Sequence, residues 1–530
     1  MHSLAYETNS KIGRKESFRV KRKIAKKLAQ RKRKIRKRLD KRSLPEEPRP
    51  MLNPGRIQYE IADRTRGITC GGIGAVQMLV QKLGLDKAID SRLRIFKLHN
   101  PYFESDHVLN IAYNILCDGD CLEDIEKLRN DENYLDAVGA ERIPDPTTAG
   151  DFCRRFSSEH VEILQDIIND IRLKVWAQQD PVFFKEAVID ADGTIAPTTG
   201  ECKEGMDISY QGLWGYHPLL VSLSNTGEPL YLCNRSGNCT SSKDAARYLD
   251  RAAAVCLQAG FKKIRFRGDT DFSQTAYLDG WDQKGITFVF GINAMPNLVQ
   301  IAETLPETVY ADLSRPPRYT VKTVPRSKPV NVKEQIVKER GYQNIRLCSE
   351  QTAEFEYRPV KCQTSYRIVV LRKNLTVEKG EQALFDDIRY FFYITNDRKS
   401  SRAEIVRQAN NRCNQENLIA QLKSGVNAMK LPVDNLVSNW AYMVMASLAW
   451  NLKAWYALLL PVSNRWKDQH ERQKQKILRM EFKTFRKYFV TLPCQIVKTG
   501  RRLLYRLLGW NEYLDAFFRA MDSFCRPLRC

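Results

Sequence analysis

The stretch NNRCNQENLIAQLKSG, residues 410–425, sets Glu416 between Arg412 and Lys423. At about 100° per helical residue, Arg412 lies roughly 40° and Lys423 roughly 20° around the axis from Glu416, so all three project from one face. Leu418 and Leu422 fall on the opposite side, which leaves the charged face free of core packing. A glutamate so placed is either half of a solvated ion pair, worth about 0.3 kcal/mol, or a cation ligand beside bound phosphate. The second reading needs further carboxylates, and two stand at strand ends: Asp192 in VIDADGT and Asp269 in RFRGDTDF. Asp190 and Asp271 compete with them, each two residues away and on the same strand face. Asp192 is preferred because Gly-Thr follows it at the strand exit, and Asp269 because Gly268 precedes it. Three converging carboxylates repel, and divalent cations make the arrangement tolerable. Two such ions about 3.5 to 4 Å apart clamp a phosphodiester, one activating the attacking oxygen and the other stabilising the leaving one. Hard oxygen donors favour Mg²⁺ or Mn²⁺, two ions per site, over zinc. The 14 cysteines form no C-x-x-C pair and the six histidines are scattered, so no zinc cluster assembles from the sequence.

The elements that must carry these acids begin near residue 183. FFKEAVIDADGT reads as an apolar strand ending in acids, and HPLLVSLSNTGEPLYLCN as a hairpin about Asn225-Thr226-Gly227. A helix follows from Ser241, with Asp244 as a capping-box variant and Gly260 as its stop. KKIRFRGDTDF, SQTAYLDGWDQKG and ITFVFGIN then read as strand, helix and strand. The order β-β-β-α-β-α-β is that of an RNase H-like core, in which the first and fourth strands are neighbours. Between Asn293 and Phe391 the runs RYTVKTV, NIRLCSE, AEFEYRPV and SYRIVVLRKN alternate and carry many charges, which predicts a mostly β insertion. YFFYITND returns to the core, and the Glu416 helix follows.

A chain of 530 residues exceeds one core at roughly 150 residues per domain. The formal charge is +23, and between Lys11 and Arg42 there are 18 Lys and Arg against two acids, a local net of +16. Ile24 with Leu28 and Ile35 with Leu39 sit at helical spacing, so this arm is expected to form a basic helix once its charges are neutralised. Such a run binds polyanions with a steep salt dependence. Nucleic acid is preferred over a membrane surface, a localisation signal or a solvated tail, because the apolar stripe is narrow. Lys21, Arg22, Arg31, Arg33 and Arg36 are its candidate DNA contacts.

The run from Val437 is apolar enough to resemble a membrane span, but Asn451 and Lys453 interrupt it and Pro461 closes it, which predicts a buried helix. The N-terminus lacks the apolar core of a signal peptide, so free thiols in a reducing cytoplasm are expected. The expected organisation is a basic arm (1–50), a helical DNA-binding or dimerisation region (51–182), the first part of the core (183–293), the β insertion (294–390), the last part of the core (391–438) and a C-terminal helical region (439–530). The fold class is thus an α/β RNase H-like catalytic core with a mostly β insertion, flanked by helical regions.

At these residues the chain resembles the DDE transposases of bacterial insertion sequences, in particular the cut-and-paste group with the Y-x₂-R-x₃-E-x₆-K signature and its Tn5-type members. Arg412, Glu416 and Lys423 meet R-x₃-E-x₆-K, while the tyrosine position is Ala409. DPTTAGDFCRRF, GECKEGMDISYQGLWGYHPLLVSL and RGDTDFSQ look like blocks of one insertion-sequence branch, so the likeness covers roughly residues 105–455. The resemblance implies a dimeric, nucleoid-associated enzyme that cleaves double-stranded DNA at terminal inverted repeats and joins the freed 3′ ends to target DNA. Asp192, Asp269 and Glu416 would be the metal ligands, with Arg412 and Lys423 holding phosphates. Relatives hold a flipped base with a tryptophan in the insertion, and residues 293–391 contain none. Tyr310, Phe355 and Tyr357 are the stacking candidates there, and Trp214, Tyr216 and His217 of YQGLWGYHP are candidate DNA contacts near Asp192. The alternatives are a catalytically inactive DNA-binding descendant, or a nuclease of the same fold that cuts without joining.

Overall fold

Beyond residue 186 the apolar runs assemble into one nine-stranded sheet. The computed structural model describes residues 22–40, 65–99, 101–200, 202–315, 332–379, 382–499 and 502–528. Lys21, the proline-rich residues 43–55 and the run RYTVKTV lie outside them. Five strands form the core: β1 (Ala187–Gly193), β2 (Leu219–Leu223), β3 (Glu228–Cys233), β4 (Ile264–Gly268) and β5 (Thr287–Ile292). Their order across the sheet is β3-β2-β1-β4-β5. β1, β4 and β5 run parallel, while β2 and β3 close an antiparallel hairpin on β1. This is the strand order of an RNase H-like core, with β1 and β4 adjacent. Helices α1 (Ala245–Ala259) and α2 (Thr275–Gln283) make the crossovers that parallel strands require.

Two local expectations change. The first crossover helix starts at Ala245 rather than Ser241, and Asp244 makes no side-chain cap: it sits at φ 60°, in the left-handed region. The second concerns the insertion. NIRLCSE and AEFEYRPV are one strand, β6 (Gln343–Tyr357), continuous through a bulge between Leu347 and Ser349. With β7 (Tyr366–Lys379) and β8 (Gln382–Thr395) it forms an antiparallel ribbon. The last four residues of β8 pair with β5, Phe392 opposite Ile292. The ribbon therefore extends the core sheet instead of forming a separate β unit, because YFFYITND is both its final strand and the neighbour of β5. Helices Pro296–Thr304 and Val332–Glu339 lie in the same segment.

The flanking regions share one core. The Leu436–Leu458 helix is buried along almost its whole length, and among the described residues no helix is long and apolar enough to cross a membrane. Its polar interruptions are internal contacts. Lys453 Nζ donates to the Leu478 carbonyl at 2.7 Å and lies 3.9 Å from the Trp450 ring centroid, and burial pushes its pKa down to about 7. Asn451 accepts from Arg172 of the Ser158–Trp176 helix, and Arg172 pairs with Glu228 of β3. Glu228 also accepts from the indole N–H groups of Trp176 and Trp455. A buried carboxylate is tolerable only when so fully paired, and this one ties the helical region, the sheet and the C-terminal helix together.

The C-terminal region is not wholly helical. Strands Cys494–Thr499 and Arg502–Leu507 form a hairpin, and Arg66–Ile68 pairs with the first of them, Arg66 opposite Ile496. The sequence signal is weak because Arg502, Arg506 and Lys498 dilute the alternation.

Candidate active site

Parallel neighbours bring their C-terminal ends to one edge of a sheet, and both strand-end acids lie there. Asp192 is the penultimate residue of β1. Asp269 follows β4 directly and caps the short turn Thr270–Phe272, accepting from the Asp271 N–H at 3.0 Å. Gly268 is needed at that exit, since a Cβ there would stand 2.5 Å from Phe272 Cβ. The Arg412 guanidinium joins the two acids: Nη2 lies 3.4 Å from Asp192 Oδ2 and 3.7 Å from Asp269 Oδ2. Arg412 Nε is buried with no partner among the described residues.

The helix holding Arg412 is not continuous. Helix α3 (Arg402–Asn410) ends before Asn411, helix α4 (Cys413–Ala420) restarts at the Arg412 N-cap, and Gln421–Gly425 forms a π-turn. Leu418 and Leu422 are buried as expected, and Gln415 anchors α4 by donating to the Leu220 carbonyl of β2. Glu416 stays exposed on α4, close enough for its charge to raise the Asp192 pKa. Lys423 lines the cleft with Asp192 and Asp269, and burial lowers its pKa. The expected single charged face is thus divided: Arg412 folds onto the strand ends, Lys423 faces the cleft and Glu416 stands at its border.

The cleft has a volume of about 350 Å³ and is shared by Asp192, Asp269, Asp271, His217, Tyr210 and Lys423. Burial pushes the Asp192 carboxyl up to about 6; Arg412 opposes the shift, and Asp269 and Glu416 reinforce it. The Asp269 carboxyl is raised for the same leading reason, again opposed by Arg412. Two hard-oxygen acids made costly to ionise form a donor set suited to a divalent cation. Among the described residues, no three His, Cys, Asp or Glu stand together as a ready metal group. The guanidinium, not Glu416, is the group in contact with both aspartates.

Asp190 is not available as a ligand. Arg267 grips both its oxygens, Nε to Oδ1 at 2.7 Å and Nη2 to Oδ2 at 2.8 Å, and the Asp190 side chain is 1% exposed. Arg267 also donates to the Gln408 carbonyl of α3, fixing the helix that precedes Arg412. Asp271 remains exposed at the cleft.

Several expected DNA contacts are internal instead. Tyr216 is fully buried and its hydroxyl donates to the Glu204 carbonyl, because it lies on the inner side of a small three-stranded sheet. His217 is buried at 2% exposure, whereas Trp214, next in sequence to the cleft-lining Leu213, is 52% exposed. Tyr310 packs under Arg372 and donates to the Ala302 carbonyl, Phe355 meets Phe392 edge to face, and the Tyr357 hydroxyl accepts from Asn297. Each of the three is occupied in packing.

In the basic arm, residues 22–39 form a helix on which Arg22, Arg33 and Arg36 are exposed. Arg31, exposed like them, donates to the Leu507 and Gly509 carbonyls at 3.0 and 2.8 Å. Ala409 is buried against Val406, Val369 and Leu371, so the signature's tyrosine position is a core position here. The sequence reading missed Arg267 and Gln415; the only signal was the chance that a strand pairing would bring them to the acids.

The family described as "Transposase DDE domain group 1" matches residues 67–526. The chain belongs to this DDE transposase family. The matched span takes in both aspartates, the ribbon, Glu416 and nearly all of the C-terminal region. Among solved structures, the transposase is similar to the piggyBac transposase in a cryo-EM structure of its synaptic complex with hairpin DNA. The identity is 10%, the TM-score 0.34, and the match covers 80% of this chain and 84% of that one. No curated protein matches it.

Proposed function

We propose that this DDE transposase is a metal-dependent enzyme that cleaves the ends of an insertion sequence and joins them to target DNA, in the cut-and-paste manner of the Tn5-type group. The observation that carries the reading is the meeting of Asp192 and Asp269 on Arg412 at the open edge of a β1–β4 pair, within a chain of this family. Asp192, Asp269 and Glu416 would hold Mg²⁺ or Mn²⁺. Bound there, the ions supply charge neutralisation at the scissile phosphate and activation of the attacking oxygen.

The protein's own groups complete the site. Arg412 holds the two acids and brings a fixed positive charge to the strand ends. Lys423 adds a second positive charge at the cleft wall. The exposed face of the arm, with Arg22, Arg33 and Arg36, supplies sequence-independent attraction for the duplex. Two copies acting together on paired element ends would complete the assembly.

The test is to incubate the protein with labelled DNA carrying its flanking inverted repeats, target DNA and Mg²⁺, then repeat with Asp192→Asn and Glu416→Gln. Nicked and joined products from the wild type, with each variant reduced by at least about 100-fold, are the expected result. Binding without metal-dependent cleavage would mark an inactive descendant, and cleavage without joining a nuclease. Unchanged cleavage by either variant would remove that acid from the site.

A further inference from the structure

His217 is held more firmly than a surface contact needs. Its backbone N–H donates to the Arg235 carbonyl at 2.8 Å, and its own carbonyl accepts from Arg235 Nε at 2.9 Å. The ring's Nδ1 lies 2.9 Å from the Cys239 carbonyl oxygen. A carbonyl only accepts, so Nδ1 carries the hydrogen, and in the neutral ring the free lone pair is on Nε2. Among the described residues Nε2 has no hydrogen-bond partner, yet the imidazole lines the cleft shared by Asp192, Asp269 and Asp271. Nε2 lies beside the residue that follows Asp192: a Cβ on Gly193 would come within 2.7 Å of it. The glycine in VIDADGT thus leaves room for the imidazole as well as ending the strand.

We propose that His217 is the proton acceptor for the nucleophile of strand cleavage. The inference rests on the transposase reading above and adds to it a residue outside the three carboxylates. As a water oxygen forms its bond to phosphorus, its proton passes to Nε2. The bond from phosphorus to the 3′ oxygen breaks, and the departing oxygen takes a proton from solvent. Burial and Arg235 disfavour a charged ring, while Asp271 favours it; Asp192, Asp269 and Lys423 line the same cleft. Asp271 meets the imidazolium formed in the step, while the Cys239 carbonyl keeps the ring from turning. His217 acts through a lone pair that the fold has left free, as a general base must.

The test measures Mn²⁺-dependent nicking of DNA carrying the flanking inverted repeats, for the wild type, His217→Phe, His217→Gln and His217→Gly, the last with and without added imidazole. Gly193→Ala is included because it crowds Nε2 without altering the ring. DNA-end binding by mobility shift and Mn²⁺ binding by electron paramagnetic resonance are read in parallel. We expect nicking to fall about 100-fold in the Phe and Gln variants, with both binding readouts at wild-type level, and imidazole to restore part of the rate in the Gly variant. Gly193→Ala should fall in the same direction. Wild-type nicking in His217→Phe, a His217→Gln rate equal to wild type, or a glycine variant that imidazole leaves unmoved would each overturn the assignment. If the wild type itself does not nick, the transposase reading falls too; a nicking wild type beside an unaffected Phe variant removes His217 alone.

Discussion

Asp192 is one place where pH acts on this molecule. Its carboxyl is raised from 3.8 to about 6, first by burial. Between those values the folded chain keeps a proton that the unfolded chain has released, so this group's contribution to stability is present at low pH and lost as pH rises through about 6. Asp192→Asn removes the charge that burial disfavours. Its melting temperature should lie above that of the wild type at neutral pH and coincide with it below the ordinary carboxylate range. Saturating Mg²⁺ should raise the melting temperature of the wild type by mass action and leave Asp192→Asn nearly unmoved; equal shifts in both would place the ion elsewhere. The two strand-end acids were legible because each ends an apolar run. The exclusion of Asp190 was not, since its partner Arg267 lies 77 residues away and only the pairing of β1 with β4 sets them opposite.

Elements decide what a residue spacing means. Read with one helical period, residues 410–425 give a single charged face; the break at Asn411–Arg412 and the π-turn at Gln421–Gly425 turn that face into three directions. No local residue announces the break, because Arg412 makes no side-chain cap, and what imposes it is packing: Gln415 is pinned to β2 while α3 is pinned to β4 through Arg267 and Gln408. The hairpin β2–β3 was legible, since Asn225-Thr226-Gly227 carries a turn signal that depends on nothing distant. Ala409 tests the same point. It packs on α3's inner face against β7, so Ala409→Tyr should not install a phosphate contact. It should lower stability by about 1–3 kcal/mol through overpacking, measured by urea unfolding, with DNA affinity no better than the wild type's.

At the scale of the whole molecule, distant segments meet in ways that composition alone does not show. Arg66 pairs opposite Ile496, and Arg31 reaches carbonyls at and just beyond the end of the same C-terminal hairpin. The +16 arm therefore combines two jobs on one helix: Arg31 and the partly buried Leu28 seat it, and Arg22, Arg33 and Arg36 stay exposed for phosphate. The arginines are indistinguishable in sequence, and only the hairpin's position separates them. Substituting Arg22, Arg33 and Arg36 together by alanine should flatten the dependence of log affinity on log salt, by about 0.9 for each phosphate no longer neutralised, while leaving protease resistance unchanged. Arg31→Ala should do the reverse. It frees two carbonyls and one seat of the helix, so limited trypsin digestion should cut the arm faster while the salt slope moves little. Titrations at several salt concentrations and a digestion time course on the full chain separate the two outcomes. Equal slopes for the two variants would mean that the arm meets DNA through all its charges alike, and that its seat on the hairpin does not select which of them face the duplex.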